Sequence, residues 1–328
     1  MTRKTMQAML LTDFGGPEVL KPAQVPVPEP GPGEVLVKLD VSGINYSDIN
    51  WSQGQRGGEL PMILGTEGAG TVAALGDGIS SFEIGEPVAY WVPSPGSFSE
   101  YATCPAFRIV KLPEGMDFGT GAALMLQGLT AHYLVRSSIE IKAGETMLFH
   151  AGAGGVGQIA IQLGKAQGAR VLVTVGSEEK AAFAKELGAD EVILYDQVNF
   201  AEMARELTGG EGVHAVYDSV GAATWEGSLK ALRVHGKVAY FGGASGPIPP
   251  MDLSILASMG SLSVIRTTLG HYVRDAEEIA WRAGEMFDLW REGRMKISVG
   301  QTYPLAEAVQ ALVDLKGRRT TGKLLLKP

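Results

Sequence analysis

The chain has 328 residues, enough for two domains, and its 45% hydrophobic share suffices for two cores. Asp and Glu number 36 against 28 Lys and Arg, a net charge of −8, so no general basic field exists to attract nucleic acid or an anionic membrane. Cys104 is the only cysteine, which excludes an internal disulfide and a CxxC zinc site; the first ten residues lack the apolar core of a leader peptide, no 18-residue apolar run is present, and a cytoplasmic protein is expected.

Residues 1 to about 125 are rich in strands and turns. Val35, Val37, Leu39 and Val41 alternate with Leu36, Lys38, Asp40 and Ser42, the period of two that marks a half-buried strand. Further strands are expected over Met6 to Thr12, Thr66 to Leu75, Glu86 to Val92, Phe98 to Thr103 and Arg108 to Leu112, separated by clusters such as Pro28-Glu-Pro-Gly-Pro-Gly33. The pattern suggests a small barrel.

From about Leu126 the period changes, and strands alternate with helices. Thr146 to Ala151 is a short apolar run that leads into Gly152-Ala153-Gly154-Gly155-Val156-Gly157, a G-x-G-x-x-G, and a helix to Gln167 follows. Val156, Ile159, Ala160 and Leu163 fall on one face of it, with Gln158, Gln162 and Lys165 elsewhere, as for one face on a sheet and one in water. Such a turn offers free N–H groups at a positive helix end to a diphosphate. With 44 glycines in the chain the spacing alone is weak, and a turn serving only packing is the alternative; the strand before, the periodic helix after and the second strand Val171 to Val175 favour a dinucleotide site. The alternation continues through helix Glu178 to Leu187, strand Glu191 to Leu194, helix Phe200 to Leu207, strand Val213 to Tyr217, helix Thr224 to Leu232, and strands Lys237 to Phe241 and Leu262 to Ile265. This is the pattern of a doubly wound parallel sheet.

After Arg266 come a helix over Asp275 to Arg291, a strand near Val299 to Tyr303, a helix from Pro304 and a strand over Leu324 to Leu326. These do not read as βαβ units. The tail is therefore assigned to the first domain, giving residues 1–125 and 266–328 to one domain and 126–265 to a nucleotide domain inserted in it.

The second strand leaves at Gly176-Ser177, without the carboxylate that would bind a ribose 2′-hydroxyl. Lys180 lies one turn into the next helix, able to meet a phosphate or simply solvated, and Glu178 and Glu179 suit a helix start. The five histidines show no metal-ligand spacing, and His150 reads as a packed histidine. Neither G-x-x-x-x-G-K-[ST] nor G-x-S-x-G occurs.

Taken in order, GGPEVL (Gly15 to Leu20), GINYSD (Gly43 to Asp48), GTEGAGTV (Gly65 to Val72), QGLTAHYLV (Gln127 to Val135), HAGAGGVG (His150 to Gly157), TVGSEEK (Thr174 to Lys180), LGADEVILY (Leu187 to Tyr195), VYDSVG (Val216 to Gly221) and FGGASG (Phe241 to Gly246) resemble the medium-chain dehydrogenase/reductase superfamily. Within it the chain is similar to the zinc-free quinone oxidoreductases related to zeta-crystallin. The resemblance implies a Rossmann sheet inserted into a GroES-like β-barrel catalytic domain, NADPH in the cleft between them, and a homodimer through the Rossmann domains. It implies Asn45, Asp48 and Thr130 at the nicotinamide end, and Gly152, Gly154, Gly155, Val156 and Gly157 on the diphosphate. Gly176, Ser177, Lys180 and Tyr195 would face the adenosine 2′-phosphate, Ser219, Val220, Phe241 and Gly242 would line the strand ends, and Arg266 and Arg318 would close from the tail. Asn50 stands where many relatives carry a substrate-wall tyrosine.

Zinc relatives stabilise an alkoxide with a bound metal; here Asn45 and Thr66-Glu67 stand at the corresponding places. The expected activity is therefore a zinc-independent NADPH-dependent reduction of an electrophilic acceptor, a quinone, or alternatively an enone or enal. Asn45 and Tyr46 are candidate donors to the developing charge, and Asp48 completes the candidate catalytic set. Asn45 can also be read as a turn cap, Tyr46 as a wall, and the whole as a non-catalytic NADPH-binding structural or sensing protein.

Overall fold

The computed structural model describes residues 4–328, so the first three residues of the stretch read as lacking a leader lie outside the described residues. The chain divides into two compact units. One runs up to Leu126 and takes in Val273–Asp288 and Ile297–Pro328; the other is Gln127–Tyr272 with Leu289–Lys296.

The first unit begins with strands β1 (Thr5–Leu11), β2 (Leu20–Pro26) and β3 (Glu34–Ile44), helix α1 (Tyr46–Ser52), and strands β4 (Met62–Ile63), β5 (Glu67–Leu75), β6 (Pro87–Trp91), β7 (Tyr101–Pro105) and β8 (Ile109–Lys111), then helix α2 (Phe118–Ala123). Val35, Val37, Leu39 and Val41 of β3 are buried as expected, but of the alternate set only Lys38 is exposed, with Asp40 half-buried and Leu36 and Ser42 buried as well, and β5 and β7 both pair with the strand. Helices α1 and α2 add to a region read from the sequence as rich in strands and turns. At seven and six residues they are too short for a 3.6-residue period to declare itself, and only a cap betrays α1.

In the second unit, α3 (Leu129–Tyr133) is flanked by wide π-type turns. The alternating elements follow: β9 (Thr146–His150), α4 (Gly155–Ala166), β10 (Arg170–Val175), α5 (Glu178–Glu186), β11 (Glu191–Leu194), α6 (Phe200–Glu206), β12 (Val213–Asp218), α7 (Trp225–Ala231), β13 (Leu232–Tyr240), α8 (Ser254–Ser258) and β14 (Ser263–Arg266). All six strands are parallel, in the order β11-β10-β9-β12-β13-β14. This is a doubly wound sheet whose strand order reverses between β9 and β12, where such sheets open a crevice beyond the strand ends. β9 is buried along its whole length, hence its unbroken apolar run.

The amphipathic reading of α4 is corrected. Gln158 and Gln162 are both buried, as are Ile159, Ala160, Ile161 and Leu163. Gln162 accepts from the Lys296 amide at 2.7 Å and donates to the Lys296 carbonyl at 2.8 Å, so residues Leu289–Lys296 cover the face expected in water.

Helix α9 (Ala276–Arg291) precedes β15 (Val299–Pro304), α10 (Ala308–Lys316) and β16 (Lys323–Lys327). β15 and β16 pair in parallel, so with α10 between them they form a βαβ unit, correcting the reading of the tail. Strand, helix and strand stand where the sequence places them; what it does not show is that β15, polar and largely exposed, pairs in parallel with β16. β16 also pairs antiparallel with β3, completing a seven-stranded sheet in the order β15-β16-β3-β5-β6-β8 with β7 on β3. Beneath it lies a core of Met9, Leu11, Ile44, Ile49, Leu64, Phe98, Leu312 and Leu324.

Gln162→Ala removes both hydrogen bonds to Lys296 and is expected to lower unfolding free energy by about 1–3 kcal/mol. Urea unfolding measures it, and the Lys296 amide should exchange faster; unchanged exchange at Lys296 would remove the anchoring role.

Candidate active site

In the first unit the sequence ends β3 with Gly43-Ile44-Asn45 and turns at once into α1. Asn45 is the N-cap residue, in extended conformation, and Asp48 at the third helical position returns the favour, its Oδ2 accepting the Asn45 amide at 2.8 Å. Around this cap a polar cluster is sealed from water: Asn45, Asp48, Glu67 and Lys323 are all at most 3% exposed. The Lys323 ammonium donates to the Ile44 carbonyl at 3.0 Å, to Asn45 Oδ1 at 3.1 Å and to Glu67 Oε1. Asn45 Nδ2 donates to Glu67 Oε1 at 2.6 Å, and the other Glu67 oxygen accepts the Leu126 amide at 2.6 Å. Gly43 makes room for this, since a Cβ there would lie 2.6 Å from the Glu67 carboxyl carbon.

Two carboxylates share one ammonium here. Burial drives the Asp48 carboxyl up to about 7, with the Glu67 charge pushing the same way and the Asn45 amide, Lys323 and Arg56 opposing. Tyr46, half-buried, packs against the core of this unit. Arg318 follows α10, exposed and at φ 57°.

In the second unit Gly154 is the N-cap of α4, and the first intrahelical bond is Gln158 N to Gly154 O at 2.9 Å. The amides of Gly155, Val156 and Gly157 therefore stand at the positive end of a twelve-residue helix, with Gly155 and Val156 half-buried. Gly157 is required by close approach, since a Cβ would lie 2.6 Å from the Gly152 carbonyl oxygen. Thr130, on α3, is buried. At the end of β10, Ser177 caps α5 by accepting from the Lys180 amide at 3.3 Å, and Tyr195 reaches back to place its hydroxyl over Gly176. Ser177 and Tyr195 are exposed and Lys180 half-exposed, so one serine, one tyrosine and one cation face outward with no carboxylate from the strand end itself. Phe241 rests on Phe149 at 5.6 Å between centroids, Gly242 follows it, and Arg266 donates to the Tyr240 carbonyl at 2.8 Å.

A buried relay ties these strand ends together. Asp218, closing β12, takes the Val220 and Gly221 amides on Oδ1 at 2.7 and 3.0 Å, fixing the turn that carries Ser219 and Val220. Its Oδ2 accepts from Ser228 and Thr224 at 2.7 and 2.8 Å. Ser228 has spent its proton, so its oxygen accepts from His150 Nε2 at 3.0 Å, leaving Nδ1 to accept from Thr174 at 2.9 Å. Burial holds the His150 pKa down, consistent with this neutral tautomer. His150 is thus a packed, fully hydrogen-bonded residue.

The profile of the alcohol dehydrogenase GroES-like domain matches residues 31–114, and that of the zinc-binding dehydrogenases matches 155–284. A quinone oxidoreductase of Pseudomonas aeruginosa is 44% identical over 96% of this chain and 97% of its own length. The chain belongs to the quinone oxidoreductases of the medium-chain dehydrogenase/reductase superfamily. Its first unit is accordingly the GroES-like domain and its second the Rossmann domain. A crystal structure of Escherichia coli quinone oxidoreductase complexed with NADPH superposes at a TM-score of 0.96, with 39% identity over 98% of this chain and 100% of that one. A 2-haloacrylate reductase from a Burkholderia species is 37% identical over 98% of this chain and 99% of its own.

The zinc-binding description of the matched family does not suit the donors present. Among the described residues no group of three or more His, Cys, Asp or Glu could hold a metal ion, and Glu67 already carries a lysine ammonium. Sequence reasoning named Asn45 and Asp48 but missed that Glu67 and Lys323 complete their cluster. The available signal was a charge opening each of two strands that continue apolar or glycine-rich, Glu67 in GTEGAG and Lys323 in GKLLL.

Because the folded Asp48 carboxyl binds its proton more tightly than an unfolded one, its contribution to stability is whole below about pH 4 and is lost as pH rises through about 7. Asp48→Asn keeps an acceptor for the Asn45 amide and abolishes this titration. The Tm of the variant minus that of the parent should rise between pH 5 and pH 8.5, and parallel Tm curves would refute the assignment.

Proposed function

We propose that this protein is an NADPH-dependent reductase of quinones that works without zinc. The observation that carries the reading is kinship over 96% of the chain to a quinone oxidoreductase at 44% identity. The local chemistry supports the cofactor. An NADPH diphosphate suits the free amides at the start of α4, and its 2′-phosphate suits Ser177, Lys180 and the Tyr195 hydroxyl, where a strand-end carboxylate would repel it. Ser219, Val220, Phe241 and Gly242 stand at the crevice ends of β12 and β13, with Thr130 assigned to the nicotinamide side, and Arg266 and Arg318 to closure from the tail, by family likeness.

Bound NADPH supplies a hydride. The protein's own part is to hold charge and orientation. Asn45 serves the hydride-transfer step; because its carboxamide is engaged by Lys323 and Glu67, orientation is a better description of its role than donation to an oxyanion. Hydride added at a quinone ring carbon leaves its charge on oxygen; that carbon then loses a proton to water while the two oxygens each gain one, giving an aromatic hydroquinone with no proton delivered to carbon, which demands little of the site. Zinc independence is supported by the donor set, in which the one buried glutamate is neutralised by an internal cation.

A second reading, reduction of an activated carbon–carbon double bond, is favoured by the 37% identity to a 2-haloacrylate reductase. It needs a proton delivered to carbon, for which Tyr46 and Asp48 are the candidates. Steady-state rates with NADPH and either a para-quinone or an enone of similar size decide the matter: the quinone is expected to be faster. An enone at least tenfold faster, with the advantage lost in Tyr46→Phe, selects the second reading. Absence of turnover with every acceptor leaves a binding protein.

Lys180→Ala is expected to weaken NADPH roughly tenfold and spare NADH, since a half-exposed lysine gives less than a buried charge-assisted bond. Equal losses for both cofactors, measured by fluorescence titration, would remove Lys180 from the 2′-phosphate.

The protein is also proposed to form a homodimer through its Rossmann units. β14 is an edge strand with one side unpaired in the six-stranded sheet, and Val234 and Leu253 on flanking segments are 61% and 72% exposed. A monomeric mass by light scattering at micromolar concentration would exclude it.

A further inference from the structure

We propose that Lys323 is a positioning residue for hydride transfer, fixing the Asn45 carboxamide in one orientation by presenting an ammonium to its oxygen while Glu67 presents a carboxylate to its nitrogen. The proposal rests on the reading of Asn45 as a residue of the hydride-transfer step.

An ammonium can only donate and a carboxylate can only accept. With Oδ1 on Lys323 and Nδ2 on Glu67, a flipped Asn45 would set N–H against N–H and oxygen against oxygen inside a site that water does not enter. The orientation is therefore decided by chemistry. The ammonium has no donor to spare, its three acceptors being the Ile44 carbonyl, Asn45 and Glu67. Glu67 is held in turn by the Leu126 amide, and Gly43 leaves the space it fills. Asn45 is thus gripped at its amide by Asp48 and at its side chain by two charges from two further strands, β5 and β16.

Stability does not explain why the pair is ionic. A buried ion pair replaced by well-packed neutral groups of similar volume leaves a protein about as stable, or more so. What a neutral pair lacks is polarity of direction. Lys323 and Glu67 reinforce with two charges a direction that the Asp48 amide, facing the Asn45 oxygen in the capping box, and the Gly43 carbonyl, 3.5 Å from its nitrogen, set only weakly.

The experiment is a mutant cycle on the full chain. Lys323→Met with Glu67→Gln keeps shape, removes both charges and lets Asn45 find a partner either way round. This double variant is expected to unfold at a Tm close to the parent's, to bind NADPH with a Kd within about twofold by fluorescence, and to lose about tenfold in kcat with a naphthoquinone acceptor. The decisive readout is coupling: Asn45→Ala lowers kcat about tenfold in the parent and less than about twofold in the double variant, because the orientation it removes is already lost. A merely structural role for the pair gives additive losses. Should the double variant not fold, Lys323→Gln with Glu67→Gln, which removes both charges together and keeps a hydrogen-bonding group in each place, is expected to lower kcat about threefold with KM unchanged. Additive losses, or a full kcat in either double variant, overturn the proposal and leave the reading of Asn45 standing. A silent Asn45→Ala in the parent overturns both.

Discussion

Two opposite charges without water organise the first unit. The Lys323–Glu67 pair is wholly buried, and each partner alone would be an uncompensated charge in a medium that penalises it heavily. The pair joins β16 to β5 across β3, bringing the tail of the chain into the sheet that its first hundred residues began. It leaves Asp48 as the odd carboxyl of the cluster, whose pKa burial drives up. The cap of α1 is thereby built from residues whose charges are balanced from two other strands.

The Rossmann unit solves a different problem with one buried carboxylate and neutral donors around it. Its strand ends must present backbone N–H groups to an anion while the side chains beneath them stay satisfied. Asp218 does this for the turn after β12, and the run Thr174, His150, Ser228 passes a single direction of hydrogen bonding from β10 to that carboxylate. The glycine turn before α4 then needs no side chain of its own, only the space that Gly157 provides.

Much of this was legible in the sequence because its periods are local. The βαβ alternation from Thr146 to Ile265 predicts the six strands and helices α4 to α7 of the second unit, though not the five-residue helices α3 and α8 and not the start of β13 at Leu232, since buried parallel strands leave unbroken apolar runs and longer helices carry a 3.6-residue stripe. Where a second layer covers an element, the stripe misleads: Gln158 and Gln162 look like a wet face because their partner, Lys296, lies 134 residues on. The candidate site was half legible. Asn45 and Asp48 stand three apart in a recognisable motif, but their companions Glu67 and Lys323 are tied to them only in three dimensions. The short helices α1 and α2 escaped for want of enough turns to set a period, and in the tail the strand, helix and strand were legible but their parallel pairing was not.

That separation has a consequence for biosynthesis. Lys323 lies 256 residues after Glu67, whereas the whole Rossmann sheet is assembled from a contiguous stretch between them. On a ribosome the nucleotide-binding unit can fold while Glu67 still lacks its counter-ion, and the GroES-like unit must wait for its final strand. Loop closure across an already folded insertion, more than any local propensity, then sets when the Asn45 cap becomes rigid. Competence in this chain arrives last, with the strand that carries the lysine.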